Sequence, residues 1–128
     1  MKYIYSEKWT QKTRELAEEL GFSHINPDRV CCIESSGSKT RRIIARIHSL
    51  GKAMQLGMNC DAFYVIELLS KNFDKESDED KVKTLIHELL HIPQSFGGGF
   101  RHHRPYVNRG IVEGHYKRLM ESPSPTYL

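Results

Sequence analysis

The stretch "LIHELLHIP" carries three side chains that could do chemistry together: His87, Glu88 and His91. In a helix, the two histidines lie one turn apart, so both imidazole rings project from the same face. Such a pair can bind one metal ion, and Glu88, about 100° round the helix, can reach a water molecule there without being a ligand. This H-E-x-x-H spacing is typical of zinc peptidases. The motif therefore predicts zinc ligands at His87 and His91, with Glu88 as the general base and acid.

A catalytic zinc site usually has three protein ligands, so the motif needs one more. The candidates that follow it are His102, His103, Glu113 and His115. The glycines of "FGGGFRHH" let the chain turn back toward the helix. Because neighbours in an extended segment point in opposite directions, only one of His102 and His103 is expected to face the metal. Glu113 is the alternative, since some zinc peptidases use a carboxylate from a later helix, whereas His115 is expected to be a surface residue.

The motif must be held by a helix, and the sequence predicts one from about Asp78 to His91. Ser77 followed by acidic residues is typical of a helix start, and Pro93 disfavours helical geometry at Ile92. Apolar residues with helical spacing define its buried stripe. They are Val82, Leu85, Ile86, Leu89 and Leu90.

The other elements alternate between helical and strand patterns. In residues 39–50, Ile43, Ile44 and Ile47 fit one helical face, so we predict a helix there, with a strand as the alternative because isoleucine favours either. The remaining predictions are a helix from about Ser6 to Leu20, strands in "DRVCCIES" and "DAFYVIELLS", a helix from about Asn108 to Met120 and a flexible tail over 121–128.

Composition places the chain in an ordinary class. Its 128 residues suit a single domain, and 38% hydrophobic with 27% charged residues is usual for a soluble protein. No apolar run is long enough to span a membrane, and the N-terminus is too polar for a secretory signal, so we expect a cytoplasmic protein. Three cysteines without a C-x-x-C pair suit free thiols. A net charge of +3 permits contact with nucleic acid but does not argue for it.

The segment "YVIELLSKNFDKESDEDKVKTLIHELLHIPQSFGGGFRHHRPYV" resembles metallopeptidases known from archaea and phages. The resemblance covers roughly residues 29–118, with a strand, the motif helix, a glycine turn, "R-x-H" and "YV" in that order. It implies that His103, two residues after Arg101, is the third zinc ligand. A weaker similarity to SprT-like peptidases implies that the protein acts near DNA. We therefore predict a small α+β, zincin-like domain, with a mixed or antiparallel sheet packed on the motif helix.

Three further features could serve such a site. Zinc peptidases of this fold place a sheet edge beside the active helix, where a substrate chain can add by main-chain hydrogen bonds, so "FYVIEL" is either that edge or plain core. Glu67 is expected to be a surface carboxylate or one that orients a zinc-bound histidine. Tyr106 is expected to pack, with hydrogen bonding to a reaction oxyanion as the alternative.

The predicted function is hydrolysis of peptide or protein substrates by a zinc-activated water. The alternative is a non-catalytic zinc-binding module that contacts nucleic acid or protein, and a third reading is a metal-dependent hydrolase with another substrate. Glu88 discriminates between a catalytic and a structural zinc site, because a structural site has no need of that carboxylate. In the alternative, the contact surface would consist of Arg41, Arg42, Arg46, Arg101, Arg104 and Arg109.

Overall fold

The computed structural model describes residues 1–121, so the predicted tail lies outside the described residues except for Glu121, which ends a helix. A short 3₁₀ turn, Pro27–Arg29, leads into the second strand. In chain order the elements are β1 (Lys2–Tyr5), α1 (Glu7–Glu19), β2 (Val30–Ser36), β3 (Ala45–Ser49), α2 (Lys52–Met58), β4 (Tyr64–Leu69), α3 (Ser70–Phe73), α4 (Asp78–Leu90), α5 (His103–Tyr106) and α6 (Arg109–Glu121).

The strands form one mixed sheet in the order β1-β2-β4-β3. β2 and β4 are parallel, whereas β1 and β3 run antiparallel to their neighbours. β4 is thus central, and β3 forms one edge of the sheet. The predicted α+β class is confirmed.

The core lies between one face of this sheet and the helices. Alternate residues of β4, namely Tyr64, Ile66 and Leu68, are fully buried and point to the same face of the sheet. They share a cluster with Leu16 of α1 and Leu89 of α4. Burial of this apolar surface fixes α4 against the sheet and so gives the motif a rigid support.

Helix α4 forms where the sequence predicts it, to within one residue at its C-terminal end. The Ser77 side chain accepts a hydrogen bond from the Asp80 backbone N–H at 3.1 Å, which caps the first turn. Leu85, Ile86 and Leu89 are fully buried, so the predicted stripe does face the core. No helix in the described part of the chain has the length and apolar character needed to cross a membrane.

The prediction of a helix over residues 39–50 is wrong, and the alternative of a strand is confirmed for part of this segment. Ala45–Ser49 form β3 instead, paired antiparallel with β4. Alternation decides the outcome: Ile47 lies opposite Ile66 on the core side, while Arg46 lies opposite Glu67 on the other side. Four elements, β1, α2, α3 and α5, were not predicted at all, and neither was the 3₁₀ turn.

The three cysteines are free thiols, as their number and spacing indicated. Cys31 and Cys32 are buried in β2. Burial raises the pKa of the Cys32 thiol to about 12, and the thiol forms a hydrogen bond with the Thr13 hydroxyl. Such a thiol stays protonated, and its role is packing.

Candidate metal centre

Helices α4 and α5 bring His87, His91 and His103 together. Each histidine offers one ring nitrogen, and the three nitrogens lie within 4.8 Å of one another. The ring centroids are 5.1 Å apart for His87 and His91, and 4.7 Å apart for His91 and His103. His91 is only 9% exposed, whereas His103 is exposed. The cluster therefore has one buried wall and one open side.

The chain returns to α4 because the segment after the helix closes on itself. The backbone N–H of Arg101 donates to the carbonyl of His91 at 2.7 Å. Gly98 adopts a φ of +104° within this turn, a conformation that favours glycine. His103 then begins α5, and His102 is the residue that precedes this short helix. The structure thus brings His103, and not His102, to the cluster.

The ring of His91 is oriented by a second hydrogen bond to Arg101. Its Nδ1 lies 2.9 Å from the Arg101 carbonyl oxygen. Because a carbonyl can only accept, Nδ1 carries the proton, and the lone pair of Nε2 is left for a metal ion. A backbone carbonyl behind a ligating histidine is a common way to fix its tautomer.

His87 and His91 are also held neutral. Burial, together with smaller contributions from the neighbouring His91 and His103, lowers the pKa of His87 to about 4. Burial likewise lowers the pKa of His91, partly offset by its bond to the Arg101 carbonyl. Neutral imidazole is the form that binds zinc.

Glu88 lies beside this cluster and is the most unusual group in it. The residue is 6% exposed, and its carboxylate has no hydrogen-bond or ion-pair partner within residues 1–121. Burial alone raises its pKa to about 7. Buried polar groups are nearly always hydrogen-bonded, so an unpartnered carboxylate indicates a functional group.

A cleft of about 470 Å³ opens beside His87 and Glu88. One wall is the chain that leads into the edge strand β3, and the other belongs to α4 and α6. The sheet edge at the cleft is therefore β3, and the alternative of β4 as the edge is wrong, because β4 is paired on both sides. The lining of the β3 wall consists of Arg42, Ile43, Ile44 and Ala45.

The other two candidate ligands, Glu113 and His115, lie away from the cluster, on α6. The Glu113 carboxylate lines the cleft but is paired with the Lys83 ammonium at 2.9 Å, and it does not join the histidine cluster. The His115 ring packs edge-on against Phe22, with centroids 5.1 Å apart. Neither side chain is placed with the three histidines.

Glu67 differs from both of its expected roles. It is 1% exposed, so it is not a surface residue. Its carboxylate accepts hydrogen bonds from Ser35, Arg46 and His48, and not from any of the three clustered histidines. Glu67 therefore links β2, β3 and β4, and Arg46 is bound within the sheet instead of forming a free basic surface.

Tyr106 is 48% exposed, and the Arg101 guanidinium lies over its ring, 5.6 Å from the centroid. This packing is the role that the sequence favoured for it.

Sequence reasoning missed His24, whose Nε2 donates to the Ile92 carbonyl at 3.1 Å just after α4. No motif marks such a residue, because its partner is a backbone group 68 positions away.

Comparison with known proteins identifies a family for this chain. Residues 1–121 match the family model described as "Putative phage metallopeptidase". No curated protein and no solved structure matches the chain. Since the family model spans nearly the whole chain, the protein belongs to this family.

Proposed function

We propose that the protein is a zinc-dependent peptidase in which His87, His91 and His103 hold the ion and Glu88 is the general base. The observation that carries this proposal is the juxtaposition of three imidazoles with a buried carboxylate that has no partner among the described residues. The family name supports a metallopeptidase. A structural zinc site, by contrast, gives no reason to bury a carboxylate beside the ligands.

The donor set fits zinc. Three imidazole nitrogens that leave one position open are a known arrangement for a catalytic zinc ion, and the open side next to exposed His103 leaves room for water and substrate. When bound, the ion would supply Lewis acidity, which polarises the substrate carbonyl and makes water more acidic. The protein supplies the base, the orientation of the ligands and the cleft.

Glu88 moves the proton in this proposal. Its carboxylate takes a proton from the attacking water while the water oxygen bonds to the peptide carbonyl carbon. The same group then gives the proton to the amine nitrogen as the C–N bond breaks, leaving one carboxyl and one amino terminus. Burial, with no hydrogen-bond donor in the described part of the chain, keeps this carboxylate more basic than an exposed glutamate.

The edge strand β3 offers a place for the substrate. Among the described strands, β3 pairs only with β4, so its other edge can accept an extended peptide through main-chain hydrogen bonds. Ala45 at the start of β3 lines the same cleft as Glu88. A peptide bound along this edge would pass the proposed base.

The test compares zinc content and peptide cleavage in the wild type and three variants. We expect wild type to bind one zinc ion per chain and to cleave casein, Glu88→Gln to keep the zinc and lose at least about 100-fold in rate, and His103→Ala to lose zinc affinity. Glu113→Gln is the matched control for the rival ligand and should keep its zinc.

Two results would overturn the proposal. Equal cleavage by wild type and Glu88→Gln would show that Glu88 is not the base. Full zinc occupancy in the wild type without cleavage of any peptide would favour a non-catalytic zinc-binding module.

A further inference from the structure

The turn between the second and third proposed ligands is anchored to the sheet by one buried tyrosine. Tyr64, the first residue of β4, is 0% exposed. Its hydroxyl accepts a hydrogen bond from the Gly98 backbone N–H at 2.9 Å and donates one to the Gly99 carbonyl at 2.8 Å. Both hydrogen-bonding functions of the phenol are thus used on two consecutive residues of the turn.

Two more side chains bind the same run of three glycines, at Gly97 and Gly98. The Ser49 hydroxyl donates to the Gly98 carbonyl at 2.6 Å, and the Gln55 amide donates to the Gly97 carbonyl at 3.0 Å. A Cβ on Gly98 would lie 2.7 Å from the Leu50 carbonyl oxygen, so the turn sits directly against the end of β3. The glycines are therefore a docked segment with a defined place on the sheet.

His103 depends on this segment more than the other two histidines do. His87 and His91 are fixed by α4, which has 13 residues and a buried apolar stripe. His103 is exposed and begins a helix of only four residues. Its position relative to α4 must come from the chain that leads to it, and that chain is held at Arg101 by His91 and at Gly98 and Gly99 by Tyr64.

We propose that Tyr64 is a positioning residue for the third metal ligand: its hydroxyl docks Gly98 and Gly99 on the sheet and thereby places His103 next to His87 and His91. This inference rests on the metal site of the proposed function. It assigns to the hydroxyl a role separate from that of the ring. The ring packs against Phe96 and Phe100, with centroids 5.0 and 5.9 Å away, and phenylalanine would preserve that packing.

The first experiment is Tyr64→Phe, with zinc affinity measured by competition against a chelator. We expect a loss of about tenfold or more, which is usual when a group that orients a ligand is removed. The cobalt(II)-substituted protein should also show a visible absorption spectrum shifted toward that of His103→Ala. Tyr5→Phe is the matched control, because that tyrosine lies half exposed on β1 and should keep wild-type affinity and spectrum. Unchanged affinity in Tyr64→Phe would overturn the inference.

A second comparison separates positioning from a general structural effect. If the hydroxyl acts through His103, Tyr64→Phe should cause no further loss of zinc affinity in a His103→Ala background. Equal losses in both backgrounds would mean that the hydroxyl only stabilises the fold, and the inference would be wrong. Ser49→Ala, which removes another bond to Gly98, should give a smaller loss with the same dependence on His103 and replaces Tyr64→Phe if that variant does not fold.

The outcome for the wild type keeps this inference distinct from the proposed function. If wild type binds zinc no more tightly than a variant with alanine at both His87 and His91, the metal site itself is wrong and the inference falls with it. If wild type binds zinc and only the Tyr64→Phe effect is missing, the metal site stands and Tyr64 has no part in placing His103.

Discussion

Glu67 and Glu88 are both buried glutamates, and their surroundings are opposite. Glu67 is 1% exposed and accepts hydrogen bonds from Ser35 at 2.6 Å, His48 at 2.7 Å and Arg46 at 3.1 Å. Burial by itself would raise its pKa, but these three donors outweigh burial and lower it to about 2. Glu88 is 6% exposed with no such donor among residues 1–121, and burial raises its pKa to about 7.

The difference teaches how one side chain can serve two purposes. A carboxylate whose charge is satisfied holds structure together, because removing it leaves its partners unpaired. A carboxylate without partners costs stability but keeps its affinity for a proton, which a general base requires. Glu67 ties β3 to the rest of the sheet and so shapes the cleft, whereas Glu88 lines the cleft as the proposed general base.

The largest expected contrast is in catalysis. Glu88→Gln should lower the rate of peptide cleavage by at least about 100-fold, because the amide cannot take a proton from water. Glu67→Gln, the same chemical change on the other face of the sheet, should leave the rate within a few-fold of wild type at a temperature where both are folded. Rates on one fluorogenic peptide check this. A comparable loss in both variants would mean that Glu67 also serves the reaction.

In stability the two changes should have opposite signs. Glu67→Gln should lower the free energy of unfolding by about 2 kcal/mol, since charge-assisted hydrogen bonds to Arg46 and His48 are lost or weakened. Glu88→Gln should raise it by up to about 1 kcal/mol, because an unpaired buried charge is replaced by a neutral group of the same shape. Urea denaturation of the metal-free proteins at neutral pH measures both. Shifts of the same sign would contradict the comparison.

The contribution of Glu67 should vanish in acid. Its pKa is about 2 in the folded protein and has an ordinary value of 4.5, so the folded state favours the ionised form. The resulting stability is fully present above about pH 5 and is lost as the pH falls toward about 2. The groups that face it are Arg46 and His48 of β3 and Ser35 of β2. The gap in urea midpoint between wild type and Glu67→Gln should therefore shrink across this range, and a gap independent of pH would show that packing, not charge, is responsible.

Local signals explain which parts of the fold were predictable. Helix α4 could be placed because Ser77, the apolar stripe and Pro93 all lie within the element or beside it. β3 could not, because Ile43, Ile44 and Ile47 also fit a helical face, and only pairing with β4 makes the segment a strand. β1 was missed because its four residues are all exposed and show no alternation of apolar and polar side chains in burial.

The candidate site shows the same division between residues marked by local sequence and residues placed by distant contacts. His87, Glu88 and His91 could be recognised together because one helix sets their spacing. The residues alone left four candidates for the third ligand, since the bonds that dock the glycine turn join groups 35 and 49 positions apart. The resemblance to a family pointed to His103. The pKa shifts of Glu67 and Glu88 could not be predicted either, because the first depends on donors from neighbouring strands and the second on burial in the folded chain.

The smallest expected effect concerns the members of the Glu67 cluster. The His48 side chain is 53% exposed, and Arg46 and Ser35 together still reach both carboxylate oxygens when His48 is removed. His48→Ala should therefore cost about 0.5 kcal/mol or less. Arg46→Ala should cost more, because its guanidinium donates to both oxygens and carries a permanent charge. Urea denaturation of the two variants gives the order. If His48→Ala proved as damaging as Glu67→Gln, the imidazole and not the guanidinium would be the partner that makes the buried charge of Glu67 tolerable, and the contrast with Glu88 would rest on a different residue.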